Sequence, residues 1–114
     1  MLWRKKRENK AYDRVYALHE QAVFLCYINE AYQETDHGVA SVKLEGIVAK
    51  GTGRLEDTFV LFDCEGNQKA EITMEELYLG NQSVPQLEGG DKRVALYPRE
   101  QEIPYQAGDI LCRL

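Results

Sequence analysis

Cysteine is scarce and odd in number: Cys26, Cys64 and Cys112 share no Cys-x-x-Cys or Cys-x-x-His spacing. Secreted disulfide frameworks are denser and even-numbered, so a reducing, cytoplasmic setting is expected, with all three thiols packed as small buried hydrophobes. Long hydrophobic runs are missing too. The longest, residues 22–28, is far too short to cross a bilayer. The basic stretch Arg4, Lys5, Lys6, Arg7 imitates the start of a signal peptide, but Glu8, Lys10, Asp13 and Arg14 follow where an apolar stretch is required. A soluble protein with no membrane contact is expected.

Catalytic signatures are equally thin. A phosphate-cradling loop needs Gly-x-x-x-x-Gly-Lys-Ser/Thr before a helix; Lys50-Gly51-Thr52-Gly53 has neither the spacing nor the helix and reads as a bulge and turn. GTP hydrolysis is therefore not expected. His19 and His37 stand apart from one another, with Cys26 the nearest thiol in helical register, and make no metal-ligand cluster. A Cys–His nucleophile would depend on residues meeting through space, which nothing in the spacing requires. The carboxylate pairs Glu56-Asp57, Glu75-Glu76 and Glu100/Glu102 sit beside turn signals, where carboxylates are solvated, whereas acid–base work needs one of a pair buried. The sequence assigns no catalytic, cofactor-binding or metal residues, and the expectation is that the protein is not an enzyme.

What is present suits one globular domain. The chain has 114 residues, 44% of them hydrophobic and 29% charged, enough for a core without metal or disulfide support. The net charge of -5 is unevenly placed. Residues 1–37 carry six basic and six acidic side chains, and residues 38–114 carry eight and thirteen. That acidic body repels phosphate backbones, whose binding depends on Lys/Arg neutralisation.

The chain divides near Thr35-Asp36-His37-Gly38. Ala11, Val15, Leu18, Ala22 and Leu25 recur at helical intervals, no Gly or Pro occurs before Gly38, and Gly38 is a natural helix stop. An N-terminal helical segment, 1–37, is expected, with its helix over 9–35. Such a helix would be about 40 Å long, more than a small domain accommodates, and Val23-Phe24-Leu25-Cys26-Tyr27-Ile28 is also strand-like, so a change of state within residues 22–35 stays open. After Gly38 the period becomes two: Val42, Leu44, Gly46 and Val48 form one face of a strand. Further strands are expected at Thr58 to Asp63, Lys69 to Thr73, Arg93 to Tyr97 and Ile110 to Leu114, with Met74 to Tyr78 a helical turn or irregular link. Short strands and glycine-marked turns indicate a mainly β fold: a small antiparallel β-barrel over 38–114, preceded by the N-terminal α-helix.

Val42-Lys43-Leu44-Glu45-Gly46-Ile47-Val48-Ala49-Lys50-Gly51-Thr52-Gly53-Arg54-Leu55 is similar to the first strand and Thr-Gly-Arg segment of the β-barrel second domain of translation GTPases, the elongation factor Tu domain II type. Leu87-Glu88-Gly89-Gly90-Asp91-Lys92-Arg93-Val94-Ala95-Leu96 resembles that family's Gly-Asp-led strand. Ala107-Gly108-Asp109-Ile110-Leu111 resembles its closing segment. The resemblance covers about two-thirds of the chain and diverges between the first hairpin and Gly90. It implies a barrel that contacts RNA or partners, here standing without the GTPase domain that accompanies it in the family.

Two kinds of contact follow. Arg4, Lys5, Lys6 and Arg7 beside Trp3, together with Lys50 and Arg54, are the candidate RNA or partner contacts, although a basic terminus is ordinarily just solvated. Tyr12, Tyr16, Tyr27 and Tyr32 suit packing or an interface, including a homodimer through the N-terminal helix. A non-enzymatic binding or adaptor module with a protein partner is expected first, an RNA- or ribosome-binding accessory protein second, and a subunit of an enzyme with an unrecognised site third.

Overall fold

His37 and Gly38 both have positive φ, 51° and 78°, and they join strand β1 (Phe24–Asp36) to strand β2 (Val39–Arg54). Two consecutive left-handed residues match the right-handed twist of a tight hairpin and do not extend a helix. The glycine expected to stop a helix therefore closes a hairpin. The structure, a computed structural model, describes residues 10–114. Within them the helix α1 covers only Lys10–Gln21. The helical reading of residues 22–35 is overturned, and with it the division at 37/38 into a helical segment and a β unit, because β1 is part of the sheet.

The remaining strands follow in chain order as β3 (Phe59–Phe62), β4 (Gln68–Ile72), β5 (Met74–Leu79), β6 (Gln82–Ser83), β7 (Gln86–Glu88), β8 (Val94–Pro98) and β9 (Ile110–Arg113). Met74 to Tyr78, expected as a link, is therefore strand. All pairings are antiparallel, in the order β4-β3-β9-β1-β2-β8-β5-β6, with β7 on the end of β2. The sheet curls around one core but its two end strands, β4 and β6, are not paired to one another. The barrel is thus open.

Two bulges shape the long β1–β2 ribbon. The register skips Ala49 on β2 opposite Leu25/Cys26 and Asn29 on β1 opposite Glu45/Gly46. Each extra residue bends the ribbon and increases its twist, which lets its first half enter the curled sheet while the second half leaves it. Gly51 fits this bend for two reasons. Its φ is +74°, and a Cβ there would stand 1.7 Å from the Val23 carbonyl oxygen.

The sheet has apolar material on both faces. Phe24, Cys26, Ile28, Leu44, Val48, Phe59, Leu61, Met74, Leu77, Leu96 and Leu111 fill the enclosed core, where the Phe24 and Phe59 rings meet at 5.5 Å between centroids. Each of the large side chains among them contributes roughly 1.5–3 kcal/mol by leaving water. On the outer face of β1, β9 and β3 a second cluster joins Leu18 and Ala22 to Leu25, Phe62, Ile110 and Cys112. Helix α1 lies over this cluster. Its stripe of Val15, Leu18 and Ala22, spaced for one helical face, meets the chain's own sheet. Gly66 in the β3–β4 turn allows the helix to approach closely, since a Cβ there would be 2.7 Å from Arg14 Cβ.

Candidate interaction surface

Lys50 is the first of the sequence-predicted contacts to find its place. Its Nζ donates to the carbonyl of His19 at 2.6 Å and lies 3.5 Å from that of Glu20. These are carbonyls of the last helical turn, which have no partner within the helix and carry the negative end of its dipole. Lys50 thus fastens the C-terminus of α1 to β2. His19 Nε2 and the Tyr27 hydroxyl share a hydrogen bond that fixes the same junction from β1.

Arg54 ends β2 and its side chain is exposed. Its backbone is fully engaged: its N–H donates to Asp57 Oδ2 at 2.8 Å and its carbonyl accepts from the Asp57 N–H at 3.1 Å. The Thr-Gly-Arg sequence therefore leads into a turn, and the Arg54 side chain takes no part in the junction that Lys50 makes. Arg4, Lys5, Lys6 and Arg7 lie outside the described residues.

The Gly-Asp signals turn out to be clamps. Gly89 N–H donates to the Gly51 carbonyl at 2.7 Å, Gly90 N–H to the Val48 carbonyl at 3.0 Å, and Val48 N–H to the Asp91 carbonyl at 2.8 Å, so this loop grips the Ala49 bulge. Asp109, only 2% exposed, is the one buried charged residue among those described. Its Oδ2 accepts from Lys69 Nζ at 2.8 Å and from the Gln106 N–H at 2.9 Å, while Lys69 also donates to the Pro104 carbonyl at 2.6 Å. Glu100 likewise holds a junction, since its carboxylate accepts from the Thr73 N–H at 2.8 Å and the Thr73 hydroxyl at 3.0 Å, where β4 passes into β5.

The thiols divide two to one. Burial pushes Cys26 and Cys112 up to about 12, which keeps them protonated and inert, whereas Cys64 is exposed rather than buried as expected. Among the described residues no three His, Cys, Asp or Glu side chains gather as metal ligands would.

Among the described residues, what remains uncovered is the outer face of β1 beyond Tyr27 and of β2, β8 and β5. Tyr32 on β1 stands opposite Lys43 on β2, and Glu30 opposite Glu45. Lys43 and Glu45 form an ion pair at 3.3 Å, and the Glu45 hydrogen bond raises the Lys43 ammonium above its ordinary range. The charge of Glu45 likewise raises the Tyr32 phenol. Further across, the rings of Tyr78 and Tyr97 meet edge to face at 5.5 Å, and Ile47 is 40% exposed. A cleft of about 440 Å³ opens in this face, lined by Asn29, Glu30, Lys43 and Glu45 from β1 and β2 and by Lys92 and Arg93 ahead of β8. Sequence reasoning missed it because its residues come from separate strands and a loop, with no local motif to join them.

Beyond this face the β1–β2 ribbon continues alone as an arm. β9 pairs with β1 only at residues 24–27, and β8 with β2 only at residues 44–46. The radius of gyration, 14.9 Å, exceeds the ~13 Å usual for a chain of this length, as a projecting element requires. On the helix, Tyr12 and Tyr16 stack at 6.1 Å and face outward at 65% and 55% exposure.

No family model matches the chain, and no curated protein does. Among solved structures, the apo form of translation elongation factor SelB from Methanococcus maripaludis is similar, with a TM-score of 0.59 at 14% identity over 93% of this chain and 25% of that one. The chain thus spans about a quarter of that factor's length. At this identity the likeness is one of fold alone: the open antiparallel barrel is similar to part of that factor, in keeping with the fold that the resemblance of residues 42–111 implies.

Proposed function

We propose that the chain is a cytoplasmic, non-enzymatic binding module on a translation-factor-like barrel, which engages a protein partner through its arm and the uncovered sheet face. The observation that carries this reading is the unequal treatment of the outer sheet. One half is sealed by α1; the other displays Tyr32, Ile47, Tyr78 and Tyr97 around a charged cleft. Tyrosines amid mixed charge are the composition of protein-binding surfaces, where a ring supplies apolar area and its hydroxyl a polar contact. Away from this face, Asp57, Asp63, Glu100 and the Lys69–Asp109 pair hold turns and junctions together, and the reading needs no chemistry from them.

Affinity capture from host lysate, with and without ribonuclease, tests it. A nuclease-resistant protein is expected, retained by the native chain and lost when Tyr32 and Tyr97 are both changed to Ala. Turnover of GTP by the pure protein would refute the reading. One observation favours RNA or the ribosome as a second reading: Lys92 and Arg93 are exposed at the cleft and Arg54 is exposed at the end of β2. Contact with phosphates there would weaken steeply with salt. The carboxylates of Glu30 and Glu45 in the same cleft oppose it, Glu45 already paired with Lys43.

A further inference from the structure

β1 is paired on both sides only through residue 28. Residues 24–27 pair with β9, and Ile28 exchanges backbone hydrogen bonds with Gly108 and Asp109 at 2.8 and 2.9 Å. From Asn29 to the turn, β2 is its one paired neighbour among the described residues. This leaves a long strand edge with no backbone partner among the described residues. Edges are protected by charged side chains, Lys above all, by Pro, by bulges, by a covering loop or by being very short. Residues 29–36 read Asn-Glu-Ala-Tyr-Gln-Glu-Thr-Asp: beyond the bulge at Asn29 the strand runs in regular register, with no proline and no basic residue, and its charges are all acidic. Such an edge is guarded against acidic or neutral strands and open to a basic one.

Charge selects what it pairs with. Glu30, Tyr32 and Glu34 alternate with period two and so share one face of the strand. Glu30 and Glu34 are exposed, and no ion pair engages either among the described residues. A second copy of this chain added antiparallel to the same edge would set acidic residues against acidic ones, which is unfavourable for cross-strand pairs. An RNA backbone is repelled for the same reason. A strand with Lys or Arg at alternate positions satisfies both the backbone edge and the carboxylates.

We propose that residues 29–36 of β1 receive an extended, basic peptide segment of a partner protein as an added antiparallel strand. This rests on the binding-module reading and names the element that faces the partner. Main-chain hydrogen bonds give such a contact its affinity, and alternate side chains give its selectivity.

The test uses the full chain and a fluorescent peptide of alternating lysine and valine, followed by anisotropy and by amide exchange along β1. Saturable binding that weakens with salt, with new protection confined to residues 29–36, is expected. The same peptide with alternate amides N-methylated keeps its charge but loses the edge hydrogen bonds, and should not bind. The double variant Glu30→Lys/Glu34→Lys, which leaves the backbone and the core untouched, should bind roughly tenfold more weakly or worse. Protection elsewhere, equal binding of a glutamate–valine peptide or indifference to N-methylation would each overturn the proposal. So would displacement by a short single-stranded RNA, or a peptide-free dimer with residues 29–36 already protected. If the peptide fails while the native chain still retains a nuclease-resistant partner, the arm inference falls and the binding-module reading stands. If no partner is retained either, both fall.

Discussion

Replacing Lys50 with Met separates a structural lysine from a contact lysine. The substitution keeps the length and apolar bulk of the stem and removes only the ammonium. In the native chain that ammonium donates to the His19 carbonyl at 2.6 Å and adjoins the Glu20 carbonyl at 3.5 Å. A hydrogen bond from a charged donor contributes about 1.5–3 kcal/mol, and a cation at a helix C-terminus about 0.3–1 kcal/mol more. The junction is partly exposed, and water replaces some of what is lost, so the net expectation for Lys50→Met is about 1–2 kcal/mol. Urea unfolding followed by far-ultraviolet circular dichroism measures this directly, with an unchanged slope and a lowered midpoint. Amide exchange adds the location: residues of α1 should exchange faster, while the β5–β8 strands should change little. Arg54→Met is the matched control. Its guanidinium is exposed and only its backbone is used, so a change within about 0.5 kcal/mol is expected. The reasoning is refuted if Lys50→Met costs no more than Arg54→Met, or if it abolishes RNA retention while leaving the exchange of α1 as it was.

Gly51→Ala should cost at least about 2 kcal/mol by thermal or urea unfolding, since a left-handed φ and a carbonyl 1.7 Å from the new Cβ act together, whereas Gly80→Ala, with φ +62° but open space, should cost nearer 1 kcal/mol. Equal losses would show that the Gly51 contact relaxes. The backbone N–H groups of Asn67 and Glu65 hold the Asp63 carboxyl below the ordinary aspartate range. Its folded value lies below its unfolded one, so its contribution is complete above about pH 4–5 and is lost as the pH falls through the folded value. Asp63→Asn should flatten that acid limb in urea midpoints taken across it. Native protein should expose one thiol to a disulfide reagent, at Cys64, and three after denaturation; fast reaction of Cys26 or Cys112 would contradict their burial and their high pKa.

The strands whose two faces differ were legible in the sequence. Val42, Leu44 and Val48 point inward as their alternation implies. Ile110 to Arg113, covered on both faces, was legible instead from the Gly108-Asp109 turn that announces it. Residues 24–28 were strand-like in composition but not in period, which left helix and strand open, because both faces of β1 are covered there. Phe24, Cys26 and Ile28 enter the core while Leu25 and Tyr27 pack under α1, and two-sided burial erases the alternation that marks a strand. The His37-Gly38 turn compounded this, since a left-handed glycine ends helices and closes hairpins alike. Of the candidate contacts, Lys50 has a partner that is a carbonyl thirty-one residues earlier, which no local pattern encodes. The uncovered face is illegible for the same reason: its cleft and tyrosines assemble only when β1, β2, β5 and β8 lie side by side.

The position of β9 has a bearing on how the chain reaches this fold. Phe24 is paired with Arg113 and Phe62 with Ile110, so the short strand that comes last along the chain sits between two strands that come early. Closing a loop of that length costs entropy before any contact repays it, and pairing of this kind slows folding. The β1–β2 ribbon, joined by two residues, can zip without waiting. Until residues 110–113 arrive, β3 and β4 have no sheet to join, and the outer cluster beneath α1 lacks Ile110 and Cys112. The topology thus favours assembly outward from the ribbon that carries the arm, with the helix completing its cluster once the final strand has entered the middle of the sheet.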